Sequence, residues 1–151
     1  MRVTLLPGGL GQELLARSET QPSGLWATRF LIDNPDLVKE LHRDYFLAGA
    51  EIATTNSYAI HRDRLAPFGI EDRFVELHRL ACQLAVSAQQ EHGSGLVAGS
   101  MGPTGRSYRP DLAPPAEEAA ELGEAPFAGA LFCHHQAAPE ATERPTRAST
   151  A

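Results

Sequence analysis

Three short apolar runs that each break into small or polar residues predict an α/β fold made of the first βα units of a (β/α)8 TIM barrel. They are Leu5-Leu6-Pro7-Gly8-Gly9-Leu10-Gly11, Thr54-Thr55-Asn56-Ser57-Tyr58 and Gly99-Ser100-Met101-Gly102-Pro103. Each marks the carboxyl end of a strand opening into a loop. Three such ends at similar spacing suggest one face of a barrel, the face where βα loops converge and barrel enzymes carry their active sites. The length bounds this reading: 151 residues with three credible strands, where a closed barrel takes eight and typically ~250 residues. The expectation is therefore a truncated barrel with an open sheet edge and half-covered apolar faces.

The elements follow from local chemistry. Arg2-Val3-Thr4-Leu5-Leu6 is short, apolar and bounded by Pro7-Gly8-Gly9, the pattern of a buried strand. Gln12 to Arg17 reads as one or two helical turns, Ser18 to Gly24 as a polar loop, and Leu25 to Ile32 as a short helix over the barrel's end. Asn34-Pro35-Asp36 is a strong helix start, because Asn34 can cap, Pro35 needs no amide hydrogen at the first position, and Asp36 complements the dipole. Leu37, Val38, Leu41, Tyr45 and Ala48 then recur at helical spacing up to Gly49, so this helix packs on a sheet.

Glu51-Ile52-Ala53-Thr54-Thr55 is the second strand and completes a βαβ unit, which implies parallel pairing. Arg62 to Phe68 reads as a short helix ended by Gly69. Glu71 to Glu91 is a longer one, with Phe74, Leu77, Ala81, Leu84, Ala85 and Ala88 on one face. Gly93-Ser94-Gly95 stops it, Leu96-Val97-Ala98-Gly99 is the third strand, and a Pro/Arg loop from Thr104 to Pro115 leads to a helix at Ala116 to Leu122. From about Gly123 the periodicity is lost. Residues 123–151 are rich in Ala, Pro, Thr and Arg, keep Gly129-Ala130-Leu131-Phe132-Cys133 as a strand remnant, and read as an irregular or disordered tail.

Composition excludes several classes. With 42% hydrophobic and 21% charged residues the chain can bury one domain's core. Lys+Arg 13 against Asp+Glu 19 gives a net charge of -6, which argues against a nucleic-acid or membrane surface, since both need a basic stripe. No apolar run approaches the ~20 residues of a membrane span, and the first residues lack a signal-peptide layout, so a cytoplasmic location is expected. Two cysteines, Cys82 and Cys133, are too few for a disulfide framework.

The chemistry-bearing residues have plain structural readings. His42 and His78 fall in helices on faces read as solvated, His92 at a helix end, and His61 after the second strand's loop. None makes a metal set. Cys82 lies beside an apolar helix face, as a small buried residue would. Cys133-His134-His135 has a metal-binding composition, yet adjacent side chains rarely converge on one ion and no partner cluster is near. Gly8, Gly9 and Gly11 can simply make a tight turn between strand and helix. As a dinucleotide fingerprint, Gly9-Leu10-Gly11-Gln12-Glu13-Leu14 fails at its last position, where Leu14 stands for glycine. Asn56 can satisfy loop backbone, as Asn after a strand commonly does.

A set of ordered motifs nevertheless resembles the amino-terminal part of the homocysteine S-methyltransferase family, including its betaine-using members. These are Leu6-Pro7-Gly8-Gly9-Leu10-Gly11-Gln12-Glu13-Leu14, Leu25-Trp26-Ala27, Asp33-Asn34-Pro35-Asp36-Leu37-Val38, His42-Arg43-Asp44-Tyr45, Ala48-Gly49-Ala50-Glu51-Ile52, Thr54 to Tyr58, and Ala98 to Pro103. The resemblance runs from residue 2 to about residue 122. It implies a zinc-binding TIM barrel that holds homocysteine as its thiolate and transfers a methyl group to sulfur from S-methylmethionine, S-adenosylmethionine, a betaine or a folate carrier. Zinc would serve to deprotonate a thiol whose pKa is otherwise near ~8.5. On this resemblance Gly8, Gly9, Asn56, Ser100 and Gly102 belong to the substrate loops: the glycines permit close backbone approach, and the others offer donors to an α-carboxylate.

The chain departs from the family pattern at telling places. Pro7 stands where family members usually carry Asp, and His134 replaces the glutamate of a Cys-Glu-Thr strand end. The family's zinc cysteines, including a Gly-Gly-Cys-Cys motif, have no counterpart here. No catalytic or metal residue is therefore assigned, and zinc belongs to the parent family rather than to this chain. The expected organisation is a partial homocysteine-binding barrel domain over residues 1–122 and a tail over 123–151, consistent with a change of reading frame. Two function classes follow: a truncated homocysteine S-methyltransferase, inactive alone, or a degenerate fragment or interaction module that self-associates through its open edge. A small doubly wound domain binding an anionic ligand is the least favoured reading.

Overall fold

In the computed structural model, residues 3–18, 23–102, 115 and 117 are described. The elements, in order, are α1 (Leu10–Arg17), α2 (Thr28–Asp33), α3 (Pro35–Leu47), β1 (Ile52–Thr54), α4 (Arg62–Leu65) with a 3-10 turn at Ala66–Phe68, a second 3-10 turn at Glu71–Arg73, α5 (Phe74–His92) and β2 (Leu96–Ala98). Among the described residues the sheet has two strands, paired in parallel with Ile52 opposite Leu96, Ala53 opposite Val97 and Thr54 opposite Ala98.

The helix boundaries form for the expected reasons. Asn34 Oδ1 accepts the Leu37 amide at 3.3 Å, Pro35 occupies the first position, and Asp36 sits in the first turn of α3. Gly49 follows with φ +101°, and Gly93 closes α5 with φ +81°, left-handed conformations that glycine adopts without a Cβ clash. The region expected as one helix from Leu25 to Ile32 is turn up to Ala27 and helix from Thr28. The expected loop from Thr104 to Pro115, the helix to Leu122, the strand remnant at 129–133, the Cys133-His134-His135 cluster and the boundary after residue 122 lie outside the described residues, Pro115 and Glu117 aside.

Two readings are corrected. The described part of Arg2-Val3-Thr4-Leu5-Leu6 is not a buried strand: Val3, Leu5 and Leu6 are 76%, 53% and 57% exposed. A 2.8 Å bond from the Glu51 amide to the Leu5 carbonyl ties the segment to the start of β1. A buried strand needs neighbours on its faces and both edges, and among the described residues no element covers the outer side of this one. Likewise, His42 and His78 do not sit on solvated faces but are 0% and 5% exposed. Helix α3 packs against α1, α2 and α5 together, so its buried sector is wide enough to take in a histidine.

The main core lies among the helices: Leu10 and Leu14 of α1, Phe30 and Leu31 of α2, Val38 and Leu41 of α3, and Phe74, Leu77 and Ala81 of α5, closed by Leu25, Ile60 and Leu65. Two smaller clusters join helices to sheet. Phe46, Ala53 and Ala88 form one, and Cys82, Ala85, Val86 and Val97 the other. Arg17 pairs with Glu13 of its own helix at 2.9 Å and with Asp44 of α3 at 2.5 Å, and Lys39 of α3 reaches Glu91 of α5 at 2.5 Å. These pairs are partly exposed and contribute about 0–1 kcal/mol each, so they orient helices that burial holds together.

His42 gives the fold a pH dependence. Both ring nitrogens are buried without a hydrogen-bond partner among the described residues, and burial pushes its pKa from 6.5 down to about 4. The unfolded chain therefore binds this proton more readily, so stability is fully present above the unfolded pKa and falls as pH drops from 6.5 towards 4. The loss is on the order of 3 kcal/mol. His61 and His78, also lowered by burial, act in the same direction. Urea midpoints should fall steadily between pH 7 and pH 4.5, and His42→Leu should flatten that slope; an unchanged slope would show that His42 is not its main source.

Candidate functional site

Parallel pairing places the carboxyl ends of β1 and β2 side by side, and the residues after each strand form one hydrogen-bonded cluster. The Thr55 amide donates to the Ala98 carbonyl at 2.9 Å, extending the pairing one step past β1. Beyond it, the Ser100 amide donates to Thr55 Oγ1 at 3.0 Å, and Ser57 Oγ donates to the Ser100 carbonyl at 2.6 Å. The hydroxyls of Thr55 and Ser57 are 2.7 Å apart. Thr55, Asn56 and Ser57 are all buried, which requires that their polar atoms be satisfied within the protein.

Asn56 turns the other way. Its Nδ2 donates to the Ala27 carbonyl at 3.0 Å, across 29 positions of sequence, and anchors the Leu25-Trp26-Ala27 turn against the end of β1. That turn holds Trp26 at φ +41°, a left-handed conformation rare for a bulky residue, with the indole part-exposed. Below it, a Cβ on Gly11 would come within 3.2 Å of Ala27 Cβ and 3.4 Å of the Trp26 ring.

Gly102 closes the cluster from the β2 side. A Cβ there would stand 2.5 Å from the Tyr58 carbonyl oxygen and 3.2 Å from His61 Nε2, so the backbone must pass where no side chain fits. His61 Nε2 lies 3.1 Å from the same carbonyl. Because a carbonyl can only accept, Nε2 carries the proton and Nδ1 is the basic nitrogen. The His61 pKa is lowered first by burial and then by nearby Arg64.

The structure thus brings Ser100 and Gly102 against the loop after β1, in which Asn56 lies with its side chain directed to Ala27 instead. Gly8 and Gly9 belong to the entry into α1. The Gly9 carbonyl accepts the Gln12 and Glu13 amides at 3.1 Å each. A Cβ on Gly8 would lie 3.2 Å from the Tyr45 hydroxyl, whereas Gly9 faces open space. Asn56 uses one N–H of its side-chain amide on the Ala27 carbonyl, the loop-satisfying role. The sequence reading missed Thr55, Ser57, Trp26 and Tyr58. Their hydroxyl and aromatic side chains sit within the quoted motifs, but only spatial proximity gives them a role.

Among the described residues no group of three or more His, Cys, Asp or Glu side chains is placed to hold a metal, and no helix is long and apolar enough to cross a membrane.

Trp26 is the single tryptophan, so it reports on the anchor. Asn56→Ala should cost about 1 kcal/mol by removing one of the two hydrogen bonds the Ala27 carbonyl accepts, the other coming from the Phe30 amide at 3.2 Å. It should also raise iodide quenching of Trp26 fluorescence; unchanged quenching would mean that the turn is held by other contacts.

Comparison with known proteins agrees with this geometry. Residues 4–138 match the family model described as homocysteine S-methyltransferase. The chain is 36% identical over 111 residues to homocysteine S-methyltransferase of Escherichia coli, covering 68% of this chain and 36% of that protein. It is 30% identical over 112 residues to homocysteine S-methyltransferase YbgG of Bacillus subtilis, covering 67% of this chain and 36% of that protein. The crystal structure of the homocysteine methyltransferase MmuM from Escherichia coli, metallated form, superposes with a TM-score of 0.78 at 31% identity, covering 88% of this chain and 51% of that one. The chain therefore spans about a third to a half of the length of these relatives. With residues 4–138 matched, the chain belongs to the homocysteine S-methyltransferase family.

Proposed function

We propose that this chain carries the substrate loops of a homocysteine S-methyltransferase, built on the first βα units of a TIM barrel, and that it is inactive alone. The observation that carries the proposal is the parallel pairing of β1 and β2, which gathers Asn56, Ser100 and Gly102 at one end of the sheet. Homocysteine offers an α-carboxylate, an α-ammonium and a thiol. The Ser100 hydroxyl and the loop amides around Gly102 are the groups suited to the carboxylate. The open space over Gly9 leaves room for a ligand at the start of α1. Trp26 and Tyr58, both part-exposed, offer aromatic faces to a cationic methyl donor such as a sulfonium or a betaine.

In the family, zinc supplies thiol activation. The described residues do not fit that ion, so no step of the reaction is assigned to them beyond binding and orienting substrate. Pro7 in place of the usual Asp removes a carboxylate that could hold the ammonium group. The chain's span of 36% of its Escherichia coli relative fits a partial site that needs further βα units to become catalytic.

A second reading, a non-catalytic module that associates with copies of itself, is favoured by exposed Val3, Leu5 and Leu6 beside β1 and by Leu96, 55% exposed, on β2. Open sheet edges with exposed apolar residues pair with other chains unless protected.

Elemental analysis of the purified chain after dialysis against zinc, with and without homocysteine, separates these outcomes. The expected result is no stoichiometric zinc in either sample and no methyl transfer. Near one zinc per chain, rising with homocysteine, would overturn the assignment of inactivity. Light scattering on the same samples tests the second reading, which requires a concentration-dependent dimer or larger species.

A further inference from the structure

The hydrogen bonds of Thr55, Ser57 and Ser100 can be assigned a direction that the distances alone leave open. The Ser100 amide can only donate, so Thr55 Oγ1 accepts from it at 3.0 Å. The Ser100 carbonyl can only accept, so the Ser57 hydroxyl proton goes to it at 2.6 Å. That proton is then committed. The 2.7 Å contact must therefore be donated by Thr55 Oγ1 to Ser57 Oγ. The result is a ring that runs from the Ser100 amide through both hydroxyls back to the Ser100 carbonyl. Each member donates one proton in the same sense, the arrangement in which neighbouring hydrogen bonds polarise one another.

This ring replaces strand pairing. The backbone ladder ends with the bond from the Thr55 amide to the Ala98 carbonyl, and past it both polar groups of the Ser100 backbone are held by side chains of the opposite loop. Ser100 itself is left partly exposed, and its own hydroxyl makes no hydrogen bond among the described residues. Two residues on, Gly102 is wedged against the Tyr58 carbonyl. The loop after β2 is thus fixed at both ends, with one hydroxyl available between them.

We infer that Thr55 and Ser57 are positioning residues: they clip the Ser100 backbone so that the Ser100 hydroxyl is presented to the α-carboxylate of an amino-acid substrate. This rests on the homocysteine reading above. Thr55 and Ser57 are themselves buried. Their part is to set where the donor stands.

The test compares two thiols, homocysteine and 3-aminopropane-1-thiol, which lacks the carboxylate, by titration of the full chain followed by amide NMR. The wild-type chain should prefer homocysteine. Thr55→Val and Ser57→Ala should each lower that preference roughly tenfold, the loss expected for one charge-assisted hydrogen bond. Affinity for 3-aminopropane-1-thiol should stay constant. Thr55→Ser, which keeps the hydroxyl, should restore the preference. Amide exchange at Ser100 should quicken in Thr55→Val and Ser57→Ala, while exchange at Leu96, whose amide bonds the Glu51 carbonyl at 2.9 Å, stays slow and confirms folding. Retained preference in both variants, or equal loss for both thiols, overturns the positioning role. Unchanged exchange at Ser100 overturns the clip. A wild-type chain that binds neither thiol sinks the homocysteine reading itself, and the carboxylate role with it.

Discussion

Two strands of three residues each cannot hold themselves together in water, so the packing of α5 against α3 and the sheet is the constraint on which the rest of this structure depends. Helix α5 meets its neighbours through small side chains. Ala81 faces the helical core, Ala85 meets Val97 of β2, and Ala88 meets Ala53 of β1 and Phe46 of α3. Alanine at these positions lets backbones approach closely while leaving no polar atom to satisfy. The turn into β2 is tightened in the same way. Gly95 has φ +97°, and a Cβ there would fall 2.6 Å from the Phe46 ring, so the strand starts directly beneath α3.

Once β1 and β2 are pinned in parallel under these helices, the polar residues after each strand must meet at one end. Most of their hydrogen-bonding capacity then goes into structure. Asn56 serves the Ala27 carbonyl, Thr55 and Ser57 serve the Ser100 backbone, and His61 serves the Tyr58 carbonyl. Groups tied down in this way are held rigidly, and rigid donors lose little freedom when they bind a partner.

The same fold is unevenly covered. Its helical side buries a continuous core and even takes in His42, whose ring nitrogens have no hydrogen-bond partner among the described residues, whereas Val3, Leu5, Leu6 and Leu96 remain largely in water. The chain spans only part of the length of its family relatives.

Much of this was legible in the sequence. Local rules suffice for α3, where Asn34, Pro35 and Gly49 bound the helix. They suffice as well for the stop at Gly93, the two strands at residues 52–54 and 96–98, and the apolar face of α5, because capping, left-handed glycine and helical period act within a few residues. The ordered motifs were also enough to indicate the family. Tertiary structure alone decided the rest. Arg2 to Leu6 carries a strand's composition, but a strand is defined by its partner, and the described residues supply one hydrogen-bonded contact to Glu51 rather than a ladder. His42 and His78 read as solvated because helical period marks one face, while α3 and α5 are buried over a wider arc by neighbours distant in sequence. At the site, Asn56 and Ser100 were recognisable as polar residues at strand ends. That Asn56 is an anchor for Ala27, and that Thr55 and Ser57 fix Ser100, depends on contacts across 29 to 45 positions of chain, which no local pattern encodes.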